Sequence, residues 1–382
     1  MKLLFVCTSL EPGRDGVGDY VRLLAEACID AGHECRLLAL NDQHLASGGV
    51  EWQKGRSHEL YCARLSPHER WDERLASAQA FTHEFAPDWV SWHVVPYGFH
   101  PKGLMPHEAT AFAALGRDRL VHVMLHELWI GLSRGEPLKN LAWGALQKRR
   151  LMHFLRALNP AIVHTSNVVY QTVLGREGCA AQILPLFGNI PITEIMPPVP
   201  SATEWVGAIF GTVHPQFPPI PLFDVLAEGA RASGRRLRIL GIGRLGDFGE
   251  NLFSALAPEY AETIEFSVVG EKPPQEVSRL LQTLDFGIAT HPWALLGKSG
   301  AVAAMLDHGL PVVVPRDDWV LRTRPIVVPP IDRLTFPLSE MPPELMAGRL
   351  ARKSAPAPRL PGVAWAFLES LEAATSDVSY HA

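Results

Sequence analysis

Short continuous apolar runs recur along this chain, separated by longer stretches with helical spacing, and they come in two series. The first comprises LLFVCT (3–8), CRLLAL (35–40), WVSWHVV (89–95), LVHVML (120–125) and AIVHTS (161–166). The second comprises VGAIFG (206–211), RLRILGIG (236–243), IEFSVVG (264–270), LDFGIAT (284–290) and LPVVVP (310–315). A strand that is apolar at consecutive positions is buried on both faces, which is the condition of a parallel sheet covered by helices. Alternation with helices therefore predicts an α/β architecture, built twice. Between the series, NIPITEIMPPVPSATEW (189–205) is proline-rich and aperiodic, as linkers are. A length of 382 residues suits two domains of roughly 150–200 residues each. The expected layout is one domain over 1–190, a linker over 191–204, a second domain over 205–358 and a final segment over 359–382. That segment carries a helix (362–375) whose apolar residues Ala364, Phe367, Leu368 and Leu371 suit packing on either half.

A net charge of −5 removes the overall basic balance expected of a nucleic-acid binder, so an anionic substrate would need a local cationic pocket. The apolar run at the start is too short for a secretory signal and is followed by Glu11 and Pro12. No window approaches the ~18 apolar residues that span a bilayer. The five cysteines (Cys7, Cys28, Cys35, Cys62, Cys179) are scattered and never form a C-x-x-C pair, which fits reduced thiols in a cytoplasmic protein.

Two loops suggest chemistry. After the first strand, Gly16 and Gly18 precede a helix marked by Tyr20, Leu23, Leu24, Ala27, Cys28 and Ala31 and closed by Gly32. A helix N-terminus offers unpaired N–H groups and the positive end of a dipole, and glycine lets a ligand approach closely. The spacing G-x-x-G-x-G is neither the dinucleotide fingerprint nor a Walker loop, so a phosphate cradle and a plain tight turn both fit. Further on, HPWALLGKSGAVAAMLDHGLPVVV (291–314) places Ser299 as the cap of a helix from about Gly300 to His308, ended by Gly309. Lys298, Ser299 and Gly300 would make an anion cradle there, and a capped structural helix with a solvated lysine is the competing explanation.

The order of these features resembles that of a GT-B glycosyltransferase, and most closely the family 4-like enzymes. FVCTSLEPGRDGVGDYVRLLAEACIDAGHE is similar to the family's opening, VHVMLHELW to its T-L-H-D strand end, and VHTSN to a later strand. LPLFGNIP resembles the lead into the linker, FGTVHP the first strand of the second half, and the late G-x-S-G–helix–GLPVV segment the donor site. The resemblance spans nearly the whole chain. It implies two Rossmann-like α/β domains facing across a cleft, with a last helix that often crosses back to the first domain. It also implies transfer of a sugar from a nucleotide-diphosphate donor, usually with retention and without a metal, to a glycan, lipid-linked or small-molecule acceptor.

Carried onto this sequence, Gly16, Gly18, Lys298, Ser299 and Gly300 would hold the donor diphosphate. His126 and Lys298 would be catalytic, His126 emerging at the end of its strand beside the donor sugar. His93 and Tyr97, in the stretch WHVVPYGFHPKG (92–103), and Glu127 and Trp129 would face the acceptor. The chain departs from the family where relatives carry an E-x7-E pair, for it has Leu296 and Ala304, and it lacks Arg and Lys after the FGTVHP strand. Arg244, in GIGRLGDFGE, is a substitute cation. No Asp-x-Asp triplet occurs, which argues against a metal-held diphosphate, and no cofactor is expected beyond the nucleotide-sugar substrate. A non-catalytic GT-B protein that binds a sugar nucleotide or a protein partner is the alternative. A sugar-nucleotide epimerase would need paired cleft carboxylates that are not evident, and the glycine spacing disfavours a nicotinamide dehydrogenase. The basic run Lys148, Arg149, Arg150 and Arg156 is either a solvated helix face or a peripheral contact with the inner face of the membrane.

Overall fold

The computed structural model describes residues 1–192, 194–195 and 201–381, so much of the expected linker 191–204 lies outside the described residues. The chain divides into two compact units. The first comprises Met1–Pro185, Leu321–Pro325 and Leu360–Ala382, and the second Leu186–Val320 and Ile326–Arg359.

In the first unit the chain runs β1 (Lys2–Cys7), α1 (Gly16–Asp30), β2 (Glu34–Ala39), β3 (Gly49–Lys54), β4 (Glu59–Arg64), α2 (Trp71–Phe85) and β5 (Trp89–Val94). It continues through α3 (Pro96–Phe99), α4 (Ala109–Ala113), β6 (Leu120–Leu125), α5 (Leu138–Leu158), β7 (Ile162–Thr165), α6 (Val168–Arg176) and β8 (Gln182–Ile183). The sheet order is β3-β4-β2-β1-β5-β6-β7-β8. All neighbours are parallel except β3 and β4, an antiparallel pair at the edge. Every residue of β5 is buried, as its unbroken apolar run predicts. The β3–β4 pair is absent from the sequence-based expectation because β3 is exposed apart from Gln53 and so has no apolar run to reveal it.

The second unit runs β9 (Glu204–Phe210), α7 (Pro219–Ala232), β10 (Arg236–Ile242), α8 (Gly246–Glu259), β11 (Ile264–Gly270), α9 (Pro274–Thr283) and β12 (Phe286–Ile288). Then come α10 (Gly300–Asp307), β13 (Val312–Val314), β14 (Thr335–Pro337) and α11 (Pro343–Leu350). Its sheet is wholly parallel, in the order β11-β10-β9-β12-β13-β14. Numbered within the unit this is 3-2-1-4-5-6, the doubly wound Rossmann order. One buried cluster, around Ile209, Phe223 and Phe286, packs with α7, α8 and α11; another, around Leu281, Met305 and Val312, packs with α9 and α10.

The final helix, α12 (Leu360–His381), belongs to the first unit. Phe367 is fully buried, with its ring 5.9 Å from that of Phe5 and 5.1 Å from that of His122. Burying a phenylalanine contributes about 2–3 kcal/mol. Trp89 Nε1 donates to Thr375 Oγ1 at 3.2 Å. Among the described residues no helix is long and apolar enough to cross a membrane.

Candidate functional site

In a doubly wound sheet the loops leaving two adjacent strands diverge to opposite faces where the strand order reverses, and ligands bind in the crevice this opens. In the second unit that point lies between β9 and β12. Thr290 Oγ1, just after β12, donates to the carbonyl of Thr212, just after β9, at 3.1 Å and fastens the two loops together. The loop after β9 carries His214 and Gln216. The segment after β12 carries His291 and a 3₁₀ turn ending in Lys298, and the strand next to β12 delivers Arg316 two residues past its end.

Arg316 is only 6% exposed. Its Nη2 donates to Gln216 Oε1 at 2.9 Å, and its carbonyl accepts from the Trp293 N–H at 2.7 Å. Burial holds the His214 imidazole below its ordinary range, with the charges of Arg316 and Lys298 adding to the effect. His291 is pushed down to about 4 by burial, then by Lys298, His214 and Arg316. Its Nδ1 is buried without a hydrogen-bond partner among the described residues. Two cations and two neutral imidazoles thus sense one another, and the carboxylate paired with Arg316, that of Asp318 at 3.8 Å, is largely exposed. Such an excess of positive potential suits an anion.

Helix α10 begins at the same place. Ser299 is extended (φ −90°, ψ 107°) and 4% exposed, and its Oγ accepts from the Val302 N–H at 3.3 Å, so it is the cap its sequence suggests. A side chain at Gly300 would meet open space, leaving the helix mouth accessible. Arg244, after β10, directs its Nε toward Glu271 at 3.6 Å and is half exposed. The positions where relatives carry glutamates are core positions here: Leu296 and Ala304 are each 1% exposed. A Cβ on Gly188 would lie 2.6 Å from Ala304 Cα, so the helix is packed tightly against another segment at that point.

In the first unit, Gly16 and Gly18 fall inside the first turn of α1, not ahead of it, and Asp15 and Asp19 tie this turn and the loop after β1 together. Asp15 Oδ1 accepts from the Gly18 N–H at 2.6 Å, and Asp19 Oδ1 accepts from the Gly13 N–H at 2.9 Å. A Cβ on Gly18 would stand 2.4 Å from the Ser9 carbonyl oxygen, so close packing of α1 on the chain leaving β1 requires this glycine. Gly16 is exposed with open space beside it. The fully buried Asp42 accepts from Ser9 Oγ at 3.0 Å, the Leu10 N–H at 3.0 Å and Arg64 Nε at 2.8 Å. Arg64 also binds Glu51 and Glu11, so carboxylates set the polarity around this loop.

His126 follows β6. Its N–H donates to the Val94 carbonyl at 3.1 Å, its ring meets Tyr20 edge-on at 5.1 Å, and burial pushes its pKa down to about 3. His93 lies inside β5, not in the loop beyond it, and is 1% exposed, so it faces the interior and not an acceptor. Its Nδ1 is 3.2 Å from His126 Nε2. Tyr97, in α3, is 37% exposed, and its hydroxyl accepts from Gln147 Nε2 at 3.1 Å. Glu127 is half-buried. Trp129 helps line a cavity of about 180 Å³ with Leu141, Lys148, Val173, Arg176 and Leu321. Lys148 of the basic run pairs with Glu177 at 3.0 Å, and Arg150 Nη2 donates to His107 Nε2 at 2.8 Å.

The structure brings Lys298, Ser299 and Gly300 to one helix mouth and adds His214, His291 and Arg316, which the sequence-based expectation lacks. Each of the three follows the C-terminal end of a parallel strand within a few residues, and that placement is the signal that finds them.

No protein-family model and no curated protein matches the chain. Solved structures do. The lipopolysaccharide outer-core galactosyltransferase WaaB in its apo form shares 14% identity at a TM-score of 0.53, covering 92% of this chain and 95% of that one. The catalytic domain of starch synthase IV from Arabidopsis thaliana, bound to ADP and acarbose, shares 11% identity at 0.51, covering 99% of both. The UDP-GlcNAc 2-epimerase of Methanocaldococcus jannaschii shares 10% identity at 0.52, covering 97% and 99%. Together with a mainly parallel sheet in the first unit and a wholly parallel, doubly wound one in the second, these likenesses show that the chain has the GT-B fold of two Rossmann-like α/β domains.

Proposed function

We propose that the protein is a glycosyltransferase that takes a sugar from a nucleotide-diphosphate donor, whose diphosphate is held at the β9/β12 crevice of the second unit. One observation carries this proposal: Lys298, Arg316, His214 and His291 converge beside the mouth of α10. When the glycosidic bond to phosphate breaks, negative charge grows on the β-phosphate oxygen. Fixed cations and N–H donors stabilise that charge without reorganising. Lys298 and Arg316 supply the charge, the two neutral imidazoles can each donate an N–H, and the first N–H groups of α10 add the helix dipole. Retention fits a protein whose His126 is too weak a base to deprotonate an acceptor, because the departing phosphate can take that proton. The acceptor we propose is a glycan, lipid-linked or small-molecule hydroxyl, reached from a cytoplasmic location with peripheral contact at the membrane's inner face. Neither a metal nor an additional cofactor takes part in the proposed mechanism.

The test is release of nucleoside diphosphate from UDP-, GDP-, dTDP- and ADP-sugars, with and without sugar acceptors. Lys298→Ala should lower release about 100–1000-fold, the usual cost of losing one transition-state donor. Binding of a donor with no release under any acceptor would favour a non-catalytic sugar-nucleotide binder, a role to which the buried Leu296 and Ala304 also lend support.

A further inference from the structure

Four buried histidines and one serine form an unbroken hydrogen-bonded chain through the first unit. His126 Nε2 is 3.2 Å from His93 Nδ1, and His93 Nε2 is 3.1 Å from Ser91 Oγ. Ser91 Oγ is 2.8 Å from His122 Nδ1, and His122 Nε2 is 3.0 Å from His164 Nδ1. The pairing of β5, β6 and β7 builds it: Ser91 stands opposite His122, and His164 opposite Met124, two residues farther along β6. None of the five residues is more than 7% exposed. Phe5, Tyr20 and Phe367 flank the rings, so the surroundings are apolar. The chain ends at two outer nitrogens, His126 Nδ1 and His164 Nε2.

Burial holds all four imidazoles below their ordinary range, so each is neutral near pH 7 and carries a single N–H. Four links need four protons, one each. The three inner groups supply three, and one end must supply the fourth. If His126 supplies it, His93 must donate to Ser91, Ser91 to His122 and His122 to His164. If His164 supplies it, every donation reverses. No other arrangement fills all four links. In the first arrangement all four rings are protonated at Nε2, and in the second all four at Nδ1.

We propose that this chain locks the four rings into one common tautomer, so that His164 and Ser91 are positioning residues that decide what His126 presents at its outer nitrogen. With Nε2 protonated throughout, His126 offers a lone pair at Nδ1 and His164 an N–H at Nε2. With Nδ1 protonated throughout, the roles exchange. A substrate hydroxyl that donates to His126 therefore selects the first arrangement along the whole chain, and a group that accepts from His126 selects the second. Only the meeting of His126 with substrate rests on the glycosyltransferase proposal; the locking itself is a property of the folded chain.

The experiment is long-range proton–nitrogen correlation NMR of the full chain carrying ¹⁵N-labelled histidine, at neutral pH and without ligand. The four rings should be neutral and show one shared tautomer fraction. A mixed set, with at least one ring protonated at the other nitrogen, overturns the proposal. Ser91→Ala removes the two middle links, to His93 and to His122, with little change in volume. The His126–His93 and His122–His164 pairs should then titrate their tautomers independently, so that at least one pair departs from the shared fraction. A variant in which all four rings keep their original state also overturns it. The measurement on the unaltered protein decides the matter even if the variant does not fold, and it succeeds or fails independently of any test for glycosyl transfer.

Discussion

Lowering the pH from neutral to about 5 should destabilise the first unit strongly, because its histidines are buried uncharged. In the unfolded chain each imidazole titrates near about 6.5. In the folded chain His126 titrates at about 3 and His164 at about 4, both pushed down by burial, and His93 and His122 are driven well below the usual value by the same cause. The sign follows from proton counting. Below the unfolded value the unfolded state binds protons that the folded state refuses, so stability falls as pH falls. At about pH 5 each such ring costs roughly 2 kcal/mol relative to neutral pH. His126 and His164 together cost about 4 kcal/mol, a large share of a typical stability of about 5–15 kcal/mol, and the two inner rings add to the loss. The carboxylates that Arg64 holds, Asp42 and Glu51, also lie below their ordinary range: burial opposes their ionisation, but Arg64 outweighs it, so they too stabilise less as pH falls. Their contribution persists until the pH falls below about 4, so the two windows separate. Asp15, Asp285 and Asp307, raised by burial, offset part of the loss toward the acid end. Urea unfolding followed by tryptophan fluorescence is the assay, since Trp89 and Trp92 lie fully buried in β5 beside the chain of histidines. A change of less than about 1 kcal/mol between neutral pH and about pH 5 would refute the burial of neutral imidazoles.

Gly18→Ala should cost about 1–3 kcal/mol, because the new methyl meets the Ser9 carbonyl, whereas Gly16→Ala should leave the melting temperature nearly unchanged. Asp42→Ala should destabilise the protein by about 3–5 kcal/mol in denaturant titrations, since Arg64, 5% exposed, loses its one fully buried partner. Ser299→Ala should cost about 1 kcal/mol in the same titrations through the lost cap on α10.

Both sheets were legible in the sequence because strands buried on two faces write themselves as apolar runs. The β3–β4 pair was not, since an exposed edge strand such as GVEWQK leaves no such run, and β14, reading TFP, sets a single large apolar residue between a threonine and a proline. The helix mouth at Lys298, Ser299 and Gly300 was legible through local rules, a capping serine before a helix and a glycine after it. Arg316 and His214 lie about 100 residues apart and meet only because β9 and β13 both flank β12, a neighbourhood that spacing does not encode. The same holds for His93, His122 and His164, which the pairing of three strands joins. The glycine loop after β1 was ambiguous in sequence because one residue type serves both close packing and phosphate approach; the Ser9 carbonyl accounts for Gly18, while nothing nearby requires Gly16.

The most direct measurement of the central claim is calorimetric titration of the unaltered protein and of Arg316→Ala with UDP, GDP, dTDP and ADP. At least one nucleoside diphosphate should bind, and Arg316→Ala should weaken it about 10–100-fold, as expected for loss of a charged hydrogen bond of about 1.5–3 kcal/mol. Absence of binding by all four, or an affinity that Arg316→Ala leaves unchanged, would contradict a diphosphate site at the crevice between β9 and β12.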